Sequence, residues 1–171
     1  MSTRHGRFET SLGKLLLVAE SHALTGVYFP DHRYPPAPEH LGEDVGLEPE
    51  DAVLAEAARQ LREYLRGERT AFDLPLAPLG DEFSQQVWSM LGDIPYGATT
   101  TYGELAVALG NRALAQRVGQ AVGHNPVSII VPCHRVLGAD GSLTGYAGGL
   151  ERKRALLELE EPEPAAAGRL F

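Results

Sequence analysis

Residues 101–136, TYGELAVALGNRALAQRVGQAVGHNPVSIIVPCHRV, set the architecture that we expect for this chain of 171 residues. Thr101 is followed three residues later by Glu104, which is the capping-box pattern at the beginning of a helix. Gly110 ends that helix, and Asn111 is placed to cap a second one. Because only two or three residues connect the two helices, the stretch predicts a helix-turn-helix.

The second helix, predicted from Arg112 to about Gly123, has two unlike faces. One face carries apolar side chains at helical spacing, whereas the other is polar and nearly free of bulky side chains. The polar face includes Gly119, and a glycine inside a helix costs roughly 1 kcal/mol relative to alanine. Close approach of another backbone, such as a nucleic-acid groove, is one reason to place it there. An ordinary surface helix that tolerates a glycine is the other interpretation.

The apolar run over residues 129–136 contains a cysteine that is followed directly by a histidine. Cys133 is the only cysteine of the chain. We expect a β-type segment here, on which adjacent side chains point in opposite directions. Cys133 and His134 then need a turn or a bridging water to exchange a proton, and Pro132 favours a turn. A thiolate activated by histidine is a strong nucleophile, although a lone cysteine is more often a small core residue.

The composition excludes several classes of protein. Hydrophobic residues make up 43% and charged residues 22%, which is typical of a globular chain and not of a disordered or fibrous one. No apolar stretch approaches the roughly 20 residues that a membrane-spanning helix needs, so we expect a cytoplasmic protein without membrane contact. One cysteine forms neither an internal disulfide nor a cysteine-rich zinc site, and the other histidines lack metal-ligand spacing.

The charge is unevenly distributed. A net charge of −8 argues against nonspecific affinity for DNA, which is driven by neutralisation of phosphates. Residues 101–157, however, carry six basic side chains against three acidic ones. If this chain binds DNA, we expect few phosphate contacts and a shallow dependence on salt.

The first part of the chain predicts strands and one helix. Two apolar runs, residues 15–21 and 23–29, favour a β-hairpin or meander, and the proline-rich, acidic stretch 30–50 is typical of a surface loop. Residues 51–66 have apolar positions at helical spacing and predict one packed helix. No nucleophile, metal cluster or phosphate-binding loop is evident in residues 1–79, so we expect this part of the chain to have a mainly structural role.

The motifs around Cys133 resemble those of a known family. Pro132-Cys133-His134-Arg135-Val136, preceded by Asn125-Pro126 and followed by Gly145-Tyr146-Ala147-Gly148-Gly149-Leu150, resembles the active-site signature of the O6-alkylguanine-DNA alkyltransferases, also called methylated-DNA–protein-cysteine methyltransferases. The similarity runs from about Phe83 to Glu160, close to half of the chain. It implies an α/β ribonuclease-H-like N-terminal domain plus a mainly α C-terminal domain with a winged-helix-like helix-turn-helix.

Together with the two prolines and the glycine in residues 74–80, the resemblance implies three segments. We predict the small α/β domain at residues 1–79, the alkyltransferase DNA-binding and active-site domain at residues 80–160, and a disordered tail at residues 161–171. The apolar end of that tail, Leu170-Phe171, is a weak candidate for docking to another repair or replication protein.

The resemblance also implies a reaction. Such a protein flips O6-alkylguanine out of duplex DNA and transfers the alkyl group irreversibly to Cys133. O6-methylguanine is the main expected substrate, and O4-methylthymine is a further candidate. A thioether has no hydrolytic route back, so each molecule acts once, and the reaction needs neither a metal nor a cofactor.

The catalytic roles follow from the resemblance position by position. Cys133 is expected to be the alkyl acceptor, and His134 is expected to act on it through a water as its base. Glu160, at the end of a helix predicted over 152–159, orients the imidazole. Asn125 corresponds to the hinge asparagine that connects the recognition helix to the active-site segment.

The binding residues follow in the same way. Tyr102 is expected to contact the phosphate 3′ to the flipped nucleotide and to help protonate guanine at N3. The backbones of Cys133 and Val136 would read the exocyclic amine, and the amide of Ala147 would face O6. The complete substrate-binding set is Tyr102, Val136, Tyr146, Ala147 and Gly148. The expected DNA contacts are Thr101, Arg112, Gln116, Arg117, Gly119, Gln120 and Arg135.

Two positions depart from the family pattern. Gln116 stands where the family usually has a finger arginine that fills the space left by the flipped nucleotide. Arg112 lies one turn earlier on the same face and Arg117 lies about 100° away, so either is a candidate substitute, as is Gln116 itself. Ala147 stands where many members carry serine, which changes little if the backbone amide is the donor.

Two other functions remain open. A damage-recognition protein would bind alkylated DNA without efficient transfer, because the finger arginine is replaced by Gln116; proteins of that kind, however, replace the cysteine. A thiol hydrolase would use Cys133, His134 and Glu160 and would turn over many times.

Overall fold

The computed structural model describes residues 3–47 and 49–161. A sheet-containing N-terminal part is followed by a helical C-terminal part. The N-terminal elements are β1 (Thr3–Thr10), β2 (Gly13–Glu20), β3 (Ala23–Tyr28), β4 (Glu43–Leu47) and α1 (Ala52–Leu65). The C-terminal elements are α2 (Glu82–Gly92), β5 (Thr100–Thr101), α3 (Tyr102–Ala108), α4 (Ala115–Gly123), β6 (Val136–Leu137) and α5 (Leu150–Glu160). Short 3₁₀ turns lie at Pro38–His40, Arg112–Leu114 and Cys133–Arg135.

The N-terminal sheet has the strand order β3-β2-β1-β4. The antiparallel pairing of β2 with β3 confirms the predicted hairpin. β4 pairs in parallel with β1, so the prediction of a loop throughout residues 30–50 is wrong at this strand. β4 is an edge strand whose Glu43 and Asp44 are exposed, and it therefore lacks the apolar alternation that marks a half-buried strand.

Helix α1 packs its apolar face on the sheet, as the spacing of residues 51–66 predicts. The Asp51 side chain begins the helix by accepting from the backbone nitrogens of Val53 at 3.0 Å and Leu54 at 3.1 Å. Arg4 of β1 donates from Nε to the other Asp51 oxygen at 2.7 Å. One carboxylate therefore caps the helix and fixes it to the sheet.

The predicted helix-turn-helix is present as α3 and α4. Thr101 Oγ1 accepts from the Glu104 backbone nitrogen at 3.1 Å, which is the first half of the capping box. Asn111 accepts from the backbone nitrogen of Ala113 at 2.9 Å, and the first turn of the second helix is 3₁₀ before α4 begins. Trp88 of α2 donates from Nε1 to the Ala121 carbonyl at 2.8 Å and so fixes α2 against α4.

The prediction of a β-type segment over residues 129–136 is wrong. Most of this run forms turns, because Ile129 has a left-handed φ of 73° and the 3₁₀ turn Cys133–Arg135 follows. Just before it, Val127 forms an isolated bridge to Val27 of β3. The apolar side chains of the run are buried although the run does not pair as a strand. Hydrophobic periodicity alone does not distinguish a buried strand from buried turns.

No helix in residues 3–47 and 49–161 is long and apolar enough to cross a membrane. The predicted docking end of the tail, Leu170-Phe171, lies outside the described residues.

Candidate active site

Glu160, the last residue of α5, is the centre of a buried polar cluster, with a side chain that is 2% exposed. Its Oε2 accepts from His134 Nε2 at 2.8 Å, and Arg135 donates to Oε1 at 2.7 Å and to Oε2 at 2.8 Å. The Tyr64 hydroxyl, from α1, also donates to Oε2. Burial raises the pKa of Glu160, but the hydrogen bonds outweigh it and lower that pKa to about 2. The carboxylate is therefore ionised at neutral pH.

The ionised carboxylate determines which nitrogen of His134 carries the proton. A carboxylate can only accept, so Nε2 is protonated and Nδ1 keeps a free lone pair. Burial lowers the pKa of His134 and prevails over Glu160, which raises it. Nδ1 is buried and has no hydrogen-bond partner among the described residues. A neutral imidazole with a free Nδ1 is a general base in the correct tautomer.

Cys133 lies at the beginning of the 3₁₀ turn that also carries His134 and Arg135, and it is 5% exposed. Successive side chains of such a turn are about 120° apart, and not on opposite sides as in a strand. Burial raises the pKa of the Cys133 thiol, and the nearby Asn125 and Lys153 side chains only partly oppose it. The resting side chain is therefore a thiol that needs a base.

Asn125 organises the backbone that leads to Cys133. Its Nδ2 donates to the Val131 carbonyl at 2.8 Å, and its Oδ1 accepts from the Val127 backbone nitrogen at 3.0 Å. The residue lies two positions after the end of α4 and is 2% exposed. One amide thus connects the end of α4 to the turn that presents the thiol.

Lys153 of α5 is a fully buried cation that the sequence analysis missed. Its Nζ donates to the carbonyls of Val136 and Thr144, both at 2.7 Å, and of Gly145 at 3.3 Å. Burial lowers the pKa of Lys153 to about 8. The ammonium therefore holds the segment after Cys133 against residues 144–145.

The loop at residues 145–149 is held by the N-terminal part of the chain. The backbone nitrogen of Arg33 donates to the Ala147 carbonyl at 2.8 Å. A Cβ on Gly148 would lie 2.3 Å from the Phe29 ring, so only glycine fits there. The Tyr146 hydroxyl is buried near Cys133 without a hydrogen-bond partner among the described residues.

A cleft of about 550 Å³ lies between α4 and residues 144–147. It brings together six of the predicted site residues, which are Tyr102, Gln116, Gly119, Gln120, Tyr146 and Ala147. The Tyr102 hydroxyl donates to the Thr144 carbonyl at 3.5 Å across this cleft. A Cβ on Gly119 would make an ordinary contact with the Tyr102 ring at 3.7 Å, so packing of α3 on α4 does not require this glycine. Arg33 and Tyr34 also line the cleft, and the sequence analysis missed both.

The predicted DNA contacts at three arginines lie outside the cleft. The Arg135 guanidinium is buried on Glu160 and donates to the Ile94 carbonyl at 2.6 Å, so its donors are used within the protein. Arg117 stacks on the Phe83 ring, 3.9 Å from its centroid. Arg112 begins the 3₁₀ turn before α4, and its side chain reaches back to the first turn of α3, where its Nη1 would be 3.5 Å from a Cβ on Gly103.

The remaining predicted residues have structural contacts. Thr101 caps α3, and the Val136 carbonyl is bound by Lys153. Thr101 and Val136 lie close together because β5 and β6 pair in parallel.

Comparison with known proteins gives matches to both parts of the chain. The family model described as 6-O-methylguanine DNA methyltransferase, ribonuclease-like domain, matches residues 3–78. The model described as 6-O-methylguanine DNA methyltransferase, DNA binding domain, matches residues 82–162.

Individual relatives agree with these models. The methylated-DNA–protein-cysteine methyltransferase of Mycobacterium tuberculosis is 45% identical over 163 residues, which are 95% of each chain. That of Methanosarcina acetivorans is 45% identical over 154 residues, which are 90% of this chain and 95% of the relative. The crystal structure of Mycobacterium tuberculosis OGT in complex with DNA is similar with a TM-score of 0.82, at 44% identity over 92% of both chains.

Proposed function

Because this chain belongs to the 6-O-methylguanine DNA methyltransferase family, we propose that it moves the alkyl group of O6-alkylguanine in duplex DNA to Cys133. Its activity is that of a methylated-DNA–protein-cysteine methyltransferase, and it repairs alkylated DNA. The observation that supports the residue assignment is the buried cluster in which Glu160 fixes a neutral His134 directly beside Cys133 in the chain.

Access to O6 requires that the base leaves the duplex. O6 lies on the base-pairing edge of guanine, so the nucleotide must be flipped at a cost of a few kcal/mol. The cleft between α4 and residues 144–147 has Tyr102 and Tyr146 in its walls, and its volume is sufficient for an extrahelical purine. Cys133 does not line the cleft itself but lies behind Tyr146, with which it interacts. We assign substrate contacts to Tyr102, Val136, Tyr146, Ala147 and Gly148.

The transfer is a displacement at the alkyl carbon. The Sγ–carbon bond forms as the carbon–O6 bond breaks, and the electron pair of the broken bond moves into the purine. His134 Nδ1 accepts the thiol proton through a water, and Tyr102 supplies a proton to guanine N3. The proton on His134 then passes through solvent to the Tyr102 oxygen, so overall one proton moves from the thiol to guanine, and the thioether remains on Cys133. The product has no hydrolytic route back, so one protein repairs one lesion.

The fine architecture of both parts is also a proposal. The sheet β3-β2-β1-β4 with α1 packed on it supports a ribonuclease-H-like domain. The short pair β5–β6 next to α3 and α4 supports a winged helix-turn-helix that approaches DNA with α4. We place the boundary between the two domains within residues 74–80.

The damage-recognition alternative is not favoured, because Cys133 is present and the curated relatives are methyltransferases. A thiol hydrolase would release its product and turn over many times, whereas an alkyltransferase reacts once.

The proposed transfer is tested by intact-mass measurement after incubation with a duplex that contains a single O6-methylguanine. We expect a gain of one methyl group per protein, located on the peptide with Cys133 and absent from the Cys133→Ser variant. Repeated product release without a mass gain would overturn the proposal in favour of hydrolysis. Tight binding without a mass gain would restore the damage-recognition alternative. A duplex with O4-methylthymine tests the second substrate in the same way.

A further inference from the structure

The cleft has one charged side chain among the described residues that line it, and that side chain is Arg33 from the loop after β3. On the side of α4 the corresponding wall carries the neutral residues Gln116 and Gln120. Arg117 of α4 stacks on Phe83, and neither it nor Arg112 lines the cleft. The positive charge of the cleft is therefore supplied by the N-terminal part of the chain.

Contacts on both sides fix the position of Arg33. Its backbone nitrogen donates to Ala147 in the loop that closes the cleft, at 2.8 Å. Its guanidinium lies over the Tyr34 ring, 5.2 Å from the centroid. The Tyr34 ring in turn stacks on His124 directly after α4, with centroids 3.8 Å apart and an interplanar angle of 20°. The exposed guanidinium is thus held at the cleft mouth, between the active-site loop and the recognition helix.

We propose that Arg33 binds a phosphodiester of the strand that carries the flipped nucleotide. A planar guanidinium matches the oxygens of a phosphate in a bidentate way, and it is weakly hydrated for a cation. The only side-chain contact described for Arg33 is the Tyr34 ring, which leaves its donors free. In a chain of net charge −8, one cation at the mouth of the base pocket has a large share of the local attraction for DNA.

The inference rests on the proposed function, because it assigns Arg33 to the same DNA substrate. It makes the N-terminal part a direct DNA-binding element. Tyr34 and His124 act as positioning residues, since they orient the guanidinium and do not reach the thiol.

The test compares two substrates and two arginines. Rate constants for methyl transfer to Cys133 are measured with duplex O6-methylguanine over a range of NaCl concentrations, and with free O6-methylguanine base, which has no phosphate. For Arg33→Ala we expect the duplex rate constant at low salt to fall about 5- to 10-fold. A plot of the logarithm of the duplex rate constant against the logarithm of the salt concentration should have a slope smaller in magnitude by about 1 in Arg33→Ala than in wild type. The rate with free base should stay unchanged.

Arg66→Ala is the matched control, because Arg66 is an exposed arginine of the N-terminal part outside the cleft. It should match wild type with both substrates. Arg33→Lys should keep the salt slope and recover part of the duplex rate, since it retains the charge without the bidentate geometry.

Each of the other outcomes would overturn either the inference on Arg33 or the proposed function. Equal losses with duplex and free base would show that Arg33 only supports the loop at Ala147. A loss with duplex at an unchanged salt slope would show that it fills the space of the flipped base. No change for Arg33→Ala would overturn the inference and leave the proposed function intact, whereas wild type inactive with both substrates would overturn the proposed function itself.

Discussion

The buried cluster around Glu160 and the mouth of the cleft hold their charges in opposite ways. Glu160 has hydrogen bonds from His134, Arg135 and Tyr64, and nearly no surface in contact with water. Arg33 is exposed, and its side chain is held by one aromatic ring. Groups that activate the thiol are thus part of the buried core, whereas groups proposed to contact DNA can be substituted with little change in the free energy of unfolding. Changes in the cluster should lower stability and transfer together, and changes at the mouth should affect only the reaction with duplex.

The largest effect is expected for Glu160→Gln. The change removes the counter-charge of a buried guanidinium, so we expect the free energy of unfolding to fall by about 3–5 kcal/mol. Transfer should slow by about 100-fold or more, because the histidine base loses its orienting carboxylate. Urea unfolding and single-turnover kinetics measure the two effects. Glu158→Gln, at an exposed site on the same helix, should change stability by no more than about 0.5 kcal/mol, and an equal loss in both variants would contradict the account.

The contribution of the Glu160 cluster to stability should depend on pH in the acid range. The pKa of Glu160 is lowered from 4.5 to about 2, so its contribution is present above pH 4.5 and is lost as the pH falls toward 2. It amounts to about 3 kcal/mol. The pKa of His134 is lowered from 6.5, so stability should already decline below pH 6.5, where the unfolded chain takes up a proton that the folded imidazole does not. Transfer should decline only at lower pH, where the folded imidazole itself is protonated. When unfolding is followed at several pH values, the loss of stability between pH 4.5 and 2 should be absent from Glu160→Gln. An identical acid profile in this variant would contradict the assignment.

Lys153→Met should have an intermediate effect. The ammonium satisfies three carbonyls next to the active-site loop, so its loss should cost about 2 kcal/mol of stability and slow transfer about tenfold. The slowing should be the same with free base and with duplex, because the loop and not the DNA contact is changed. Arg154→Met, at the exposed neighbouring position of α5, is the control and should behave as wild type. A loss confined to duplex would place Lys153 at the DNA surface instead.

The smallest effect is expected for Gln116→Arg, which adds a cation to the opposite wall of the cleft. In the wild-type background the duplex rate constant should rise about threefold, because Arg33 already supplies one charge. In the Arg33→Ala background the gain should be larger, and the difference measures how far one arginine replaces the other. Equal gains in both backgrounds would show that the two positions act independently.

Much of the fold could be predicted because it depends on local signals. The capping box at Thr101, the apolar face of α1 and the β2–β3 hairpin are each encoded within about a dozen residues. β4 could not be predicted, because its pairing with β1 joins residues far apart in sequence and leaves Glu43 and Asp44 exposed. The turn at Ile129 was also hidden, since an apolar run is buried equally well as a strand or as a set of turns.

Some residues of the candidate site could likewise be predicted from local sequence, and others could not. The motif around Cys133 led to His134, Asn125 and Glu160, all of which are buried: His134 and Glu160 are hydrogen-bonded to each other, and Asn125 binds the backbone that leads to Cys133. Tyr64 could not be found, because it reaches Glu160 from 96 residues away. Lys153 gave one signal, since it lies three and seven residues before the buried Leu156 and Glu160 on one helix face. Arg33 gave none, because the cleft it lines exists only after the two parts of the chain come together.

A neutral His134, held by ionised Glu160 and ready to accept the thiol proton, can be observed directly by ¹⁵N NMR of protein labelled in the histidine rings. The His134 signals are assigned by their loss in His134→Gln. At pH 7 we expect Nε2 to have the shift of a protonated nitrogen and Nδ1 that of an unprotonated one, and we expect this pattern to persist below pH 6.5. A doubly protonated ring at pH 7, or a proton on Nδ1, would contradict the assignment of His134 as the base.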